Sequence, residues 1–193
     1  MKEYTYQEAI NLLKEGNKRY SENNMIHPSQ KLTRMLEVVC GQNPFAVILT
    51  CSDSRVVPEF IFDRGVGDLF VIRNAGNIVD EHVLGSIEYA VEHLHTPIVL
   101  VLGHTDCGAV TAAHKGLFSE GHLNSVLKEI EPVIDRNTKG EFGMDNSIRN
   151  NVIFCVDKIK NSDPILSKFV KDDKVRVIGA IYDLNDGEVN FID

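Results

Sequence analysis

The sequence predicts an α/β fold, in which helices flank a central parallel β-sheet of about four strands, with or without an additional edge strand. Four short segments are almost continuously apolar, a pattern typical of strands that are covered on both faces. Helical patterns separate these segments, and strands that alternate with helices form parallel sheets through right-handed crossovers. Because the 193 residues fit one domain, we expect a single domain over residues 1–193 with a helical N-terminal arm at residues 1–40.

The N-terminal arm carries signals for two helices. Thr5 and Glu8 have the spacing of a capping box, which indicates a helix from there to about residue 20. A second helix is predicted at residues 30–40, because a glycine and then a proline follow it. The polar residues 21–30 indicate a loop between the two helices. The arm has no evident place among the crossovers, so we expect it to pack on a partner subunit.

Apolar segments and helical patterns alternate along the rest of the chain. The predicted strands are Phe45–Thr50, Leu69–Ile72, Ile98–Leu102 and Val175–Ile181. The spacing of apolar residues predicts helices at Val83–Leu94, Leu123–Ile134 and Val152–Ile159. The polar, glycine-containing residues 135–147 indicate a surface loop. Cys40 and Cys155 lie in apolar helical patterns, so we expect both to be core residues.

Composition and charge exclude several classes of protein. The formal net charge of -8 argues against a nucleic-acid-binding protein, which would carry a basic patch. The sequence contains no apolar run near the roughly 18 residues of a membrane-spanning helix. Its charged N-terminus lacks the apolar segment of a secretory signal. We therefore expect a cytoplasmic protein, in which cysteines stay reduced and serve as metal ligands or catalytic groups.

Chemically reactive residues follow two of the predicted strands, at the point where each strand ends. Cys51 directly follows the first strand, and His104 and Cys107 follow the third, three residues apart. Because the carboxyl ends of parallel strands meet at one edge of a sheet, we expect these side chains to converge. Two thiolates and one imidazole suit zinc, and three protein ligands leave a fourth position for an activated water, as in catalytic sites. The alternative is that each cysteine is a small core residue.

Asp53 and Arg55 lie just after Cys51 and admit two interpretations. One is a surface ion pair, which contributes little to stability. The other is a buried dyad, in which Arg55 holds Asp53 so that the carboxylate accepts a hydrogen bond from the activated water. Their position beside Cys51 favours the dyad. Gly65 and Gly67 precede a strand instead of following one, so they indicate a turn and not a phosphate-binding loop.

Three sequence blocks resemble the β-class carbonic anhydrases: CSDSR at residues 51–55, GDLFVIRNAGN at residues 67–77 and GHTDCGA at residues 103–109. The resemblance implies a zinc enzyme that catalyses the reversible hydration of carbon dioxide to bicarbonate and a proton. Two alternatives stay open. One is a hydrolase for carbon disulfide or carbonyl sulfide on the same scaffold, and the other is a zinc- or bicarbonate-binding protein without catalytic activity.

The resemblance also implies roles for individual residues. The ligands of one zinc ion per chain would be Cys51, His104 and Cys107, and the catalytic dyad would be Asp53 and Arg55. The residues in contact with substrate would be Gln42, Phe70, Tyr89 and the backbone N–H of Gly108. In this family the pocket is built at a dimer interface, which implies a homodimer or homotetramer. Phe70 and Tyr89 have core packing as an alternative or additional role.

One departure from the family concerns a second, inhibitory bicarbonate pocket found in some bacterial relatives. That pocket contains a Trp–Arg–Tyr trio, and Arg73 and Tyr182 match two of its members. Ile48 stands at the tryptophan position, and the chain contains no tryptophan. We therefore expect little bicarbonate inhibition of this protein.

Overall fold

The described part of the chain forms a five-stranded sheet with helices on both faces. The computed structural model describes residues 3–28, 30–117, 120–138 and 140–192. Its strands are β1 (Ala46–Cys51), β2 (Leu69–Asn74), β3 (Ile98–His104), β4 (Arg176–Tyr182) and β5 (Val189–Ile192). They follow the order β2-β1-β3-β4-β5. The first four are parallel and β5 is antiparallel to β4, which confirms the predicted fold with an edge strand.

The helices connect and cover these strands. They are α1 (Tyr6–Ser21), α2 (Leu32–Val38), α3 (Pro58–Ile61), α4 (Glu81–Glu88), α5 (Gly108–His114), α6 (Leu123–Ile130), α7 (Glu141–Lys160) and α8 (Leu166–Lys171). A π turn at Tyr89–His93 extends α4, and 3-10 turns occupy Ala75–Asn77 and Glu131–Val133. No helix in the described ranges is long and apolar enough to cross a membrane.

The two central strands are buried because helices cover both of their faces. Every residue of β1 and β3 is buried, as expected for continuously apolar strands. Side chains alternate between the faces, so Val47 and Leu49 pack into one apolar cluster with α4 and α7. Ile48 packs on the other side, in the cluster that includes residues of α1 and α3.

Helix α1 begins as the sequence predicts but packs elsewhere than expected. Thr5 and Glu8 form the capping box, and the buried side chains of Ala9 and Leu13 pack on the chain's own sheet. The Asn17 side chain donates to Gly187 O at 2.9 Å and accepts from Val189 N at 2.8 Å. The expectation that the arm has no place in its own fold is therefore wrong for α1, because its apolar face covers β1 and β3 of its own chain. Its packing on a partner stays a prediction.

Helix α2 differs from α1 in exposing its apolar side chains. None of its seven residues, all of which the structure describes, is buried. Leu32 and Leu36 are 77% and 67% exposed, and Val39 just beyond the helix is 70% exposed. Cys40 is also exposed, which corrects its expected place in the core. Ser29, in the predicted loop before α2, lies outside the described residues.

The predicted loop at residues 135–147 is wrong in its second half, where α7 already begins. Gly143 and Ser147 in this half pack closely against the preceding residues 135–138. Gly143 is buried against the backbone carbonyl of Thr138, and Ser147 is fully buried and donates to Gly143 O at 2.8 Å. The segment reads as a loop in sequence because Asp145 and Asn146 are exposed on the helix and the buried Ser147 is also polar. Lys139, in the same segment, lies outside the described residues.

Candidate metal centre

Three side chains with metal-binding atoms converge at the carboxyl edge of the sheet. Cys51 ends β1, His104 ends β3, and Cys107 directly precedes α5. Their ligand atoms all lie within 4.8 Å of one another, and all three residues are buried. The adjacent parallel strands β1 and β3 bring these positions together. The convergence expected from the sequence is therefore present in the structure.

The imidazole of His104 is oriented for metal binding. Its Nδ1 lies 2.8 Å from the carbonyl oxygen of Thr105, so Nδ1 carries the proton and Nε2 keeps a free lone pair. The side chain is fully buried, and Nε2 has no hydrogen-bond partner among the described residues. Burying an unpaired polar atom costs about 1–3 kcal/mol. A cation at this position would satisfy Nε2, so the cluster fits a metal ion.

The two cysteines form a close thiol–thiolate pair. Their sulfur atoms lie 4.0 Å apart. The hydrogen bond from the Cys107 thiol lowers the pKa of Cys51 below its ordinary value against the opposing effect of burial, and the backbone N–H of Gly76 also contributes. The Cys107 thiol holds the shared proton beside that thiolate, which raises its own pKa. A divalent cation can replace the proton between the two sulfur atoms, as in thiolate zinc sites.

Asp53 is fixed next to this cluster by two arginines. Arg55 donates to its two carboxylate oxygens at 2.9 and 2.8 Å, and this hydrogen bonding holds the pKa of Asp53 well below its usual range. Arg73 donates to the backbone carbonyls of Cys51 and Asp53 at 3.3 and 2.9 Å. Asp53 Oδ2 lies 4.0 Å from His104 Nε2. The carboxylate is therefore ionised and at the edge of the metal cluster.

Comparison with known proteins agrees with this geometry. A family model described as "Carbonic anhydrase" matches residues 46–189. "Carbonic anhydrase 2" of Mycobacterium tuberculosis is 39% identical over 184 residues, which cover 93% of this chain and 89% of the relative. The chain belongs to the β-carbonic anhydrase family. The family match includes all three cluster residues and both members of the Asp53–Arg55 pair.

Solved structures of β-carbonic anhydrases share the fold. The β-carbonic anhydrase CcaA superimposes with a TM-score of 0.76 at 27% identity, covering 95% of each chain. One of two tetrameric β-carbonic anhydrases from the ascomycete Sordaria macrospora superimposes with a TM-score of 0.72 at 25% identity, covering 97% of this chain and 95% of that one. The α/β fold described above is therefore the fold of these enzymes.

The residues expected to contact substrate are divided between the two ends of this β-carbonic anhydrase's sheet. Gly108 is next to Cys107 at the metal cluster and is the first residue of α5. Phe70 pairs with Val47, four residues before Cys51 on β1, which places it roughly 13 Å away along the strand direction. Gln42 lies four residues before Ala46, the first residue of β1, and so precedes the amino end of that strand. A single chain therefore does not bring Gln42 and Phe70 to its own cluster.

Tyr89 lies beside Phe70 and not in the core. The two rings are 6.2 Å apart between centroids, and Tyr89 is 47% exposed. Phe70 itself is partly buried against the cluster that contains Val47. The pair forms an aromatic surface that is partly open to solvent, and core packing alone does not account for the exposed Tyr89.

The positions that match the inhibitory pocket have other roles within this chain. Ile48 is fully buried in the core. Arg73 donates hydrogen bonds to the backbone carbonyls of Cys51 and Asp53. The hydroxyl of Tyr182 lies 3.0 Å from that of Tyr20 on α1. The expectation of little bicarbonate inhibition stays a prediction.

Sequence reasoning missed contacts that surround the cluster. Gly76 N donates to Cys51 Sγ at 3.4 Å, and Asn151 on α7 donates to Gly76 O at 2.9 Å. Gly76 lies in the polar segment after the second strand, and that segment indicates a turn near the other strand ends. No local pattern marks Asn151, which lies 75 residues away from Gly76 along the chain.

Proposed function

We propose that the protein is a zinc-dependent carbonic anhydrase that hydrates carbon dioxide reversibly to bicarbonate and a proton. The observation that carries this proposal is the convergence of three buried ligand atoms within 4.8 Å. Two sulfur ligands and one nitrogen ligand favour zinc over hard cations such as magnesium or calcium. One zinc per chain would be held by Cys51, His104 and Cys107, with a fourth position open.

Zinc in such a site lowers the pKa of a coordinated water, so that hydroxide is available to attack carbon dioxide near neutral pH. The protein's part is to orient and desolvate the reactants. Arg55 holds the ionised carboxylate of Asp53 in place, where it would accept a hydrogen bond from the attacking water. The backbone N–H of Gly108 is available to donate to an oxygen of the substrate. Asp53 Oδ2 lies 4.0 Å from His104 Nε2, so if the Asp53–Arg55 pair broke, Asp53 would be free to turn towards the metal position and close the site.

The complete active site is proposed to need a second copy of the chain. Carbon dioxide is apolar and needs an apolar wall, but Phe70 and Tyr89 lie away from the chain's own cluster. Under C₂ symmetry, one set of residues completes two sites. The exposed apolar side chains of α2 support an interface between copies, and the Sordaria relatives are tetrameric. We therefore propose a homodimer or a higher homo-oligomer in which Gln42, Phe70 and Tyr89 serve the partner's zinc.

The chain is proposed to act as one domain in a reducing compartment. The hydrogen bonds of Asn17 join α1 to the C-terminal strand region, which supports a single unit over residues 1–193. The thiols of Cys51 and Cys107 must stay reduced to bind metal, which supports a cytoplasmic location. No observation favours the hydrolase of carbon disulfide or the non-catalytic binding protein, and the latter would have no use for the Asp53–Arg55 pair.

The test combines metal analysis with carbon dioxide hydration measured on the same preparations. Wild-type protein should contain one zinc per chain and be active. Cys107→Ser should lose zinc and activity together, whereas Cys40→Ser, at an exposed cysteine away from the cluster, should keep both. Carbon disulfide hydrolysis assayed in parallel should be negligible. Full hydration activity in zinc-free protein would contradict the proposal.

A further inference from the structure

The turn after β2 has an unusual backbone and contacts a proposed metal ligand. Gly76 and Asn77 both have positive φ angles, of 72° and 46°. The N–H of Gly76 donates to Cys51 Sγ at 3.4 Å. Asn74 donates its side-chain amide to Ile78 O at 2.9 Å and so closes the turn from the strand side. The turn therefore presents one backbone N–H group to the sulfur of Cys51.

Helix α7 holds the same turn from the opposite side. Asn151 Nδ2 donates to Gly76 O at 2.9 Å, and Cys155 Sγ donates to Asn77 O at 3.4 Å. These two side chains are four residues apart and thus lie on one face of the helix. Asn151 and Cys155 are 1% and 2% exposed. Two consecutive carbonyls of the turn are therefore bonded to α7 in a region that excludes water.

The turn depends on these bonds because Gly76 has no side chain to fix it. A Cβ on Gly76 would lie 2.7 Å from Ile130 Cδ1 and 3.1 Å from Ala109 Cβ, so the position has no room for another residue. Glycine samples positive and negative φ angles about equally. Its conformation is therefore set from outside, by the hydrogen bond that Asn151 makes to its carbonyl and by the bond of its N–H to Cys51.

We propose that Asn151 is a positioning residue, which holds Gly76 so that its N–H remains bonded to the sulfur of Cys51. A hydrogen bond to a thiolate withdraws charge from sulfur, and such outer contacts tune the properties of the bound metal. Asn151 thereby limits the charge that Cys51 donates to the metal without contacting metal or substrate. The inference rests on the proposed role of Cys51 as a metal ligand.

The experiment replaces zinc by metals that report on the sulfur directly. In nitrogen-labelled protein loaded with the spin-active isotope of cadmium, the Gly76 amide should show scalar coupling to the metal through the N–H···S bond. The coupling should be lost in Asn151→Ala. In the cobalt form, the thiolate-to-metal charge-transfer band of Asn151→Ala should shift to longer wavelength, because the sulfur then donates more charge. A purely structural role would lower thermal stability and leave both signals unchanged.

Asn150→Ala is the matched control. Asn150 is the neighbouring asparagine on α7, and it also donates to a backbone carbonyl, Val133 O at 3.2 Å, but its side chain is exposed. Its cadmium coupling and cobalt spectrum should equal those of the wild type. If Asn151→Ala does not fold, Asn151→Asp carries the test, since it has nearly the same volume and lacks the N–H donor.

The other possible results distinguish the positioning role of Asn151 from the proposed metal ligation by Cys51 and Cys107. Unchanged coupling and an unchanged band in a folded Asn151 variant would overturn the positioning role and leave the metal site intact. If the wild-type protein shows the thiolate band in its cobalt form but no coupling of the Gly76 amide in its cadmium form, the positioning role is also overturned and the metal site stands. Failure of both Asn151 variants to fold would mark the residue as structural and overturn the inference. Absence of any thiolate band in the wild type would instead refute Cys51 and Cys107 as ligands, and this inference with them.

Discussion

The Asp53 carboxylate accepts three hydrogen bonds from Arg55, whereas a surface ion pair requires only one close contact between the two charged groups. One carboxylate oxygen accepts from both the backbone N–H and the side chain of Arg55, and the other oxygen accepts a second guanidinium N–H. Exposed ion pairs contribute little to stability, and the Arg55 side chain is 53% exposed. The pair is therefore better explained by orientation of the carboxylate than by stabilisation of the fold.

Replacing Arg55 should separate metal binding from activity. We expect Arg55→Ala to keep its zinc, because Arg55 contributes no ligand, and to lose about 100-fold in carbon dioxide hydration, a typical effect of misplacing a reacting group. Metal analysis, thermal melting and stopped-flow hydration on one preparation test this. Arg136→Ala, at an exposed arginine paired with Glu131, is the control and should be unaffected. Near-normal turnover in Arg55→Ala would refute the orienting role.

Asp63 is a second buried carboxylate, with a structural role remote from the metal cluster. Its side chain is fully buried and pairs with Arg19 of α1. It also accepts from the backbone N–H groups of Ile26 and His27 at 3.1 and 2.9 Å. Burial favours a higher pKa, but the Arg19 and backbone hydrogen bonds outweigh it and hold the pKa of Asp63 below its ordinary value. Asp63 thus fastens the chain segment after α1.

This depressed pKa predicts a pH-dependent loss of stability. An ionised Asp63 stabilises the fold at pH values above its unfolded-state pKa of about 4, and this contribution is lost as the pH falls through the lower folded-state pKa. Asp63→Asn should therefore cost about 2 kcal/mol at neutral pH, since hydrogen bonds to a charged group contribute about 1.5–3 kcal/mol. Urea unfolding of both proteins from neutral pH to pH 3 measures the difference. A gap that stays constant below pH 4 would contradict the assignment.

At the scale of secondary structure, α7 approaches the sheet closely because two strand glycines make room for it. A Cβ on Gly103 of β3 or on Gly179 of β4 would lie 2.6 or 2.7 Å from a methyl group of Val152. Val152 is fully buried between them. This close approach is also what brings Asn151 within hydrogen-bonding distance of Gly76. The glycines of the sheet therefore determine where α7 can reach.

Gly179→Ala and Gly85→Ala should have opposite effects on stability. The first adds a methyl group where Val152 leaves no space, and overpacking of this kind costs about 2 kcal/mol. The second adds one on the exposed side of α4, where no atom of the described residues lies within 4 Å, and should gain about 1 kcal/mol from helix propensity. Thermal unfolding of the two variants and the wild type provides the measurement. Equal stabilities of all three would show that α7 has room to move.

For the whole molecule, the distribution of apolar surface indicates how an active assembly would form. Leu32, Leu36 and Val39 are exposed on or beside α2, and Tyr89 is exposed beside Phe70. The metal cluster lies at the carboxyl edge of the sheet, and Gln42 lies at the opposite edge. An obligate interface between two such chains should bury upwards of about 2,000 Å² and be largely apolar. Assembly would then complete the site and cover these side chains together.

Dilution should therefore reduce activity in parallel with dissociation. Sedimentation and hydration activity measured across the same dilution series should fall together, with zinc content unchanged. Leu36→Asp should weaken association about tenfold or more, because a charge at an apolar interface must be desolvated. Leu117→Asp, at a leucine that is 58% exposed outside α2, is the control and should associate normally. A fully active monomer would refute the shared pocket.

The sequence alone determined the elements whose signals are local. Continuous apolar runs marked β1 to β4. For β1 and β3 the reason is that helices cover both faces, so these strands carry no polar alternation. The capping box marked the start of α1, since its hydrogen bonds join residues three positions apart. Cys51, His104 and Cys107 were also predictable as a group, because Cys51 and His104 end neighbouring parallel strands and Cys107 follows His104 by three residues. These signals need no knowledge of the rest of the chain path.

Only the tertiary structure decided how distant polar groups pair. Ser147 and Asn151 resemble loop and surface residues in sequence, but their partners in the fold allow both to be buried inside α7. Arg73 and Gly76 support Cys51 from a neighbouring strand end, and the packing of α1 depends on a sheet face that later strands create. The physical reason is the same in each case. A buried polar group is tolerated when a partner lies within about 3 Å, and that partner is set by the chain path and not by the neighbouring residues.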